Sequence, residues 1–226
     1  MTPPLAVVVG AGGVLGEALL RRFEAAGYRT AGLRRGSLVA GGQTRTIACD
    51  LGDSASVESA VVEITAGHGA IEVLVCNAAH FCMAPFLELR PEDFGQAWGA
   101  AVAGAAGAAR AALPGMLERG RGSILFSGAT AALRGGAGFA AFAAAKFAQR
   151  GLAQALAREF QPRGIHVAHV VIDGILAQSA SARRFAVDGE RAVDPEAAAD
   201  AYLWLARQPA SAFSHEIDVR PNTERF

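Results

Sequence analysis

The chain carries 21 Lys plus Arg, and Lys146 is its one lysine. An ammonium is a compact point charge, whereas a guanidinium is a planar fork that cannot replace it at a tight contact. One lysine among so many arginines could also arise by chance on an exposed stripe, but its neighbours, Ala143-Ala-Ala-Lys146-Phe-Ala, are apolar. A second chemical signal is Gly10-Ala-Gly-Gly-Val-Leu-Gly16. Glycines here let backbone N–H groups approach an anion closely, and a helix start just beyond adds its dipole. A third is Arg34-Arg35, with no Asp or Glu beside it. An acid at that point would bind a ribose 2′-hydroxyl, whereas an arginine suits a 2′-phosphate; a solvated loop is the alternative.

These groups need a scaffold, and the apolar runs supply one. Leu5–Val9, 28–33, 45–49, 71–75, 123–126, Ile165–Ile172 and 217–219 read as strands. Helices are expected over 14–26, 53–66, 91–117 and 138–160 and from Asp194-Pro195, the last two residues forming an acidic cap with proline at the first turn. Most strands are continuous rather than alternating apolar runs, which implies burial on both faces. The expected fold is α/β: a single doubly wound Rossmann domain over 1–226, with a parallel sheet of about seven strands and helices on both faces. The polar segment 175–193 is expected to be a mobile loop on the substrate side.

In such a sheet ligands bind beyond the carboxyl ends of the strands. That rule collects Gly10, Gly12, Gly13, Val14, Leu15, Gly16, Arg34, Arg35, Asp50, Leu51, Asn77, Ala78, Ala79, Asp173, Gly174 and Ile175 around a dinucleotide. Ser127, Thr130 and His80 end strands near Lys146 and are with it the candidate catalytic residues; these three and Asp173 are the possible substitute proton donors. Ser127 and Thr130 could instead bond the local backbone, and Asp173 could cap a helix.

Composition narrows the field. Apolar residues make up 52% and charged residues 19% of the 226, as suits an enclosed sheet or an oligomer. The net charge is zero with no basic cluster, which disfavours nucleic acid and anionic membranes as partners. The uncharged run within 97–109 is too short and glycine-rich to span a bilayer. Cys49, Cys76 and Cys82 form no C-x-x-C pair and suit free thiols in the cytoplasm. His166 and His169 are three apart on one strand and point to opposite faces, so no metal site is expected.

Along nearly its whole length the chain resembles the short-chain dehydrogenase/reductase family. The likeness rests on the first-strand glycine turn, Asp50-Leu51, Asn77-Ala78, Pro114 at the end of a long helix, and Lys146. It implies a nicotinamide dinucleotide, with Arg34 or Arg35 favouring NADP over NAD, a small-molecule substrate, and a homodimer or homotetramer formed through helices 91–117 and 138–160. It also exposes departures. Val9 and Val14 replace a threonine and a glycine of the family turn, although Gly12 and Gly13 offer another backbone path. The family's catalytic tyrosine falls at Phe142, its serine at Ala129 and its helix asparagine near Ala101, a pattern that resembles an atypical subgroup. Phe142 cannot transfer a proton and Ala129 cannot donate a hydrogen bond, and one positioned acid–base group is worth ~10²–10⁴ in rate. The resemblance therefore implies an NADP-dependent oxidoreductase with non-standard acid–base residues. The alternatives are a non-catalytic NADP(H)-binding or partner protein, and a non-redox isomerase or lyase.

Overall fold

The computed structural model describes residues 2–36 and 45–224. Seven parallel strands, β1 (Leu5–Val9), β2 (Arg29–Arg34), β3 (Arg45–Ala48), β4 (Ile71–Cys76), β5 (Gly122–Ser127), β6 (Ile165–Ile172) and β7 (Glu216–Val219), form one sheet in the order β3-β2-β1-β4-β5-β6-β7. The order reverses between β1 and β4, where a crevice opens beyond the strand ends. β1 shows why the runs are unbroken. Leu5, Val7 and Val9 enter one core with α2 (Ser54–His68), α4 (Gly104–Arg119) and α5 (Ala140–Phe160). Ala6 and Val8 enter the other, with α1 (Val14–Ala25) and α7 (Pro195–Ala206). Each large side chain so enclosed contributes about 1.5–3 kcal/mol.

α4 continues α3 (Pro91–Trp98) through a wider π turn, Gly99–Ala103. The continuous helix Pro91–Arg119 has the length and composition to cross a membrane, but 61% of its most apolar stretch is buried in this fold. Two sequence expectations change here. Pro114 does not end the helix: it lies inside α4, on an exposed face where water can meet the carbonyl its ring leaves unbonded. The glycines of the 97–109 run meet the 51–54 segment. A Cβ on Gly99 would sit 2.7 Å from the Gly52 oxygen, and Cβ atoms on Gly104 and Gly107 would collide with the Leu51 and Ser54 oxygens. The missing side chains let this helix press on the 51–54 segment. Finally, 175–193 is not irregular throughout. It contains α6 (Ala180–Arg184), capped by the Ser179 hydroxyl, and is tied at its ends by a bridge between Leu176 and Val193.

Candidate cofactor and active site

The turn after β1 is built around Gly10, whose φ is +90°. A Cβ there would sit 2.5 Å from the Ala78 nitrogen, so β1 and β4 can end this close only with glycine. Asn77 braces the pair, its Nδ2 donating to the Gly10 oxygen at 2.8 Å. Gly13, at φ +81°, precedes α1 and has no atom within 4 Å of where a Cβ would be. No side chain caps α1. Its first N–H groups and positive dipole end therefore face a cleft that Gly12, Gly13, Val14, Leu15 and Gly16 line. Glycines and an uncapped helix start make a cradle for an anion.

Gly12 and Gly13 also line a neighbouring cleft of about 810 Å³ with Arg34, Arg35, Asp50, Leu51 and Ala78. The Arg34 guanidinium approaches Gly12, within 3.9 Å of a would-be Cβ, and its Nε is buried without a hydrogen-bond partner among the described residues. An orphaned guanidinium nitrogen beside an anion cradle matches a phosphate. Asp50 accepts the Gly52 N–H at 2.9 Å, which shapes the opposite wall. His80 lines this second cleft. Among the described residues it is not one of those lining the cleft that holds Lys146.

Lys146 lines the first cleft, of about 690 Å³. It is 3% exposed. Its Nζ donates to the Ser127 oxygen at 2.7 Å and to Gln149 Oε1 at 3.1 Å. Gln149, wholly buried, donates onward from Nε2 to the Ala101 oxygen at 2.9 Å, inside the π turn. With three N–H donors on an ammonium, these bonds leave one over. The Phe142 ring centroid lies 5.9 Å from Nζ. Burial, with no carboxylate beside it among the described residues, pushes the amine's pKa from 10.5 down to about 8.

Ser127 and Thr130 line the same cleft, each already engaged. The Tyr202 hydroxyl, buried behind the sheet on α7, donates to Ser127 Oγ at 2.7 Å, so the serine's own proton is left for another acceptor. Thr130 Oγ1 donates to Asp173 Oδ1 at 2.5 Å, and Arg220 Nη1 lies 3.3 Å from Asp173 Oδ2. Asp173 therefore orients Thr130 and caps no helix. Gly174 and Ile175 line the cleft beside Leu176. Gln149 was absent from the sequence reading, although its three-residue spacing from Lys146 puts both on one helical face. Nothing local in the sequence marks Tyr202 or Arg220.

The sequence matches the short chain dehydrogenase family over residues 4–186. It is 29% identical over 170 residues to 3-oxoacyl-[acyl-carrier-protein] reductase MabA of Mycobacterium avium, covering 75% of this chain and 66% of that protein's length. It is 33% identical over 173 residues to the inactive 2-(S)-hydroxypropyl-CoM dehydrogenase 2 of Xanthobacter autotrophicus, covering 76% of this chain and 72% of the relative. With NADP-dependent 3-hydroxy acid dehydrogenase YdfG of Salmonella typhi it shares 28% identity over 98% of this chain and 96% of the relative. Among solved structures, a short-chain dehydrogenase from Rhodopseudomonas palustris superposes with a TM-score of 0.81 at 34% identity, covering 96% of this chain and 98% of that one. A metagenomic short-chain oxidoreductase in complex with NADP gives 0.83 at 26% identity over 98% of each chain.

Proposed function

The chain belongs to the short-chain dehydrogenase family, and from that membership we propose that it is an NADP(H)-binding oxidoreductase with a rebuilt proton-transfer set. The observation that carries this reading is the uncapped glycine turn at α1 with the orphaned Arg34 Nε beside it. The α1 N–H groups would hold the pyrophosphate, Arg34 and Arg35 the 2′-phosphate, and Asp50 and Leu51 the adenine. Lys146 would hold the ribose next to the nicotinamide, with Asn77, Ala78, Ala79, Gly174 and Ile175 around it. When bound, the cofactor supplies or removes a hydride. A relative that is NADP-dependent and a solved structure in complex with NADP support the choice of cofactor.

The chain's own residues decide where a proton can come from. Phe142 and Ala129 line the cleft and offer none. Among the described residues, Lys146 and Arg134 are its only charged lining residues, and an arginine does not release its proton. Lys146, with a pKa of about 8 and an N–H left over, is the group matched to acid–base work near neutrality. Ser127 would steady the substrate oxygen, since Tyr202 turns the serine's proton away from itself. Thr130, committed to Asp173, serves as wall.

The testing experiment is a calorimetric titration with NADPH and NADH. NADPH should bind at least about ten-fold more tightly, and Arg34→Ala should remove most of that preference. Equal affinities in the unaltered protein would refute the 2′-phosphate assignment. A second reading, a protein that binds the dinucleotide without turnover, is favoured by the apolar Phe142 and Ala129 and by a relative that is itself inactive. NADPH binding with no oxidation of it across a carbonyl panel would select that reading. We further propose a homodimer or homotetramer in the cytoplasm. Trp98 of α3 and Phe147 of α5 are 53% and 44% exposed, and the described cysteines are free thiols.

A further inference from the structure

Part of the wall of the first cleft is aromatic. Phe81 meets Phe139 edge-on at 5.9 Å and Phe142 at 5.3 Å between ring centroids, and Ala129, Ala131 and Leu176 complete the surface. Such a wall binds hydrocarbon or an aromatic ring through area and ring-edge contacts. Among the described residues the charge of the cleft is one-sided: its charged lining residues are Lys146 and Arg134, both cationic, with no Asp or Glu.

Arg134 differs from most arginines of the surface. Arg21, Arg22, Arg45, Arg90, Arg121 and Arg150 each pair with a carboxylate. No hydrogen bond or ion pair engages the Arg134 guanidinium among the described residues, while its backbone is fixed, the N–H donating to the Thr130 oxygen at 3.1 Å. Gly135 and Gly136 follow it and line the same cleft. An unmatched fork on the rim of an apolar wall is complementary to a carboxylate whose carbon skeleton lies against that wall. A low-dielectric wall beside the pair strengthens their attraction over that of an ordinary surface pair. A single fork suits a carboxylate better than a phosphate, which gathers donors from several directions.

We propose that the substrate is an apolar or aromatic carboxylic acid, bound with its carboxylate on Arg134 and its hydrocarbon body against Phe81, Phe139 and Phe142. The inference rests on the dinucleotide occupying the Lys146 end of the same cleft. It assigns the far end to recognition of the substrate's remote group rather than to the reacting carbon.

Binding, not turnover, tests it. A series of phenylalkanoates of increasing chain length, each with its neutral amide, is titrated calorimetrically into protein saturated with NADP⁺ and into protein alone. The best carboxylate should bind about ten-fold or more tightly than its amide at low salt, and that preference should shrink as salt rises. Arg134→Gln should bring the ratio to about one while the NADP⁺ affinity and the circular dichroism stay unchanged, since Arg134 is exposed. Amides binding as well as acids, a preference that survives Arg134→Gln, or no binding by any member of the series would each overturn the proposal. Failure of NADP⁺ to bind, with the carboxylate preference intact in protein alone, would overturn the cofactor reading and leave this one standing.

Discussion

Lys146 carries its ammonium to a place where carbonyl oxygens, not carboxylates, receive it. Its pKa falls to about 8 there against 10.5 in the unfolded chain. Between those values the unfolded chain holds a proton that the folded chain has released, so stability from this group rises with pH across that window and is lost as pH falls through about 8. In urea unfolding, the unaltered protein should gain on the order of 3 kcal/mol over Lys146→Met between neutral pH and pH 10.5. A difference flat in pH would show a solvated amine. Phe142→Tyr with Ala129→Ser restores a phenol and a hydroxyl on the wall beside Nζ. It should raise NADPH-driven carbonyl reduction by about 10² or more, followed by loss of NADPH absorbance; no gain would detach the Lys146 end from the reacting carbon. At this scale the sequence made Lys146, Arg34 and Asn77 legible because their chemistry is unusual for their positions. Gln149 was legible only through its spacing from Lys146. Tyr202 and Arg220 were not, because they arrive at the site through the sheet from elements far along the chain.

Between α3–α4 and the segment that follows β3, contact is made backbone to backbone. Gly104 is the tightest point on α4, since a Cβ there collides with the Leu51 oxygen. Gly104→Ala should therefore cost about 1–3 kcal/mol and weaken NADPH binding, because Leu51 and Asp50 line the second cleft. Gly95 is the control. It lies in α3 with open space around it, and Gly95→Ala should stabilise by about 0.5–1 kcal/mol. Urea midpoints of opposite sign would confirm the contact, and equal shifts would deny it. Element order and nearly every strand were readable from apolar runs and caps such as Asp53 and Asp194. The π turn was not. Its Ala- and Gly-rich residues carry no signal for a wider turn, and what singles it out is the Gln149 amide bonded to its Ala101 carbonyl.

Across the whole molecule, much of the apolar content lies in two main cores, one on each face of the sheet. Trp98 and Phe147 are among the large apolar side chains left exposed. If they pair with a second copy, light scattering at micromolar concentration should give a dimer or tetramer, and a monomer would contradict that assembly. The doubly wound order was readable from the alternation of elements, whereas the mutual placement of the clefts needed coordinates, since it depends on loop paths that carry His80 one way and Arg134 another. The choice of arginine almost everywhere has one more consequence. Because the chain's single lysine is also the buried amine of the cleft, protein grown on lysine labelled with ¹⁵N at Nζ alone holds its label in one side-chain amine, at the site itself. A single nitrogen resonance would then report protonation and occupancy directly, with no assignment to make and no mutation to introduce.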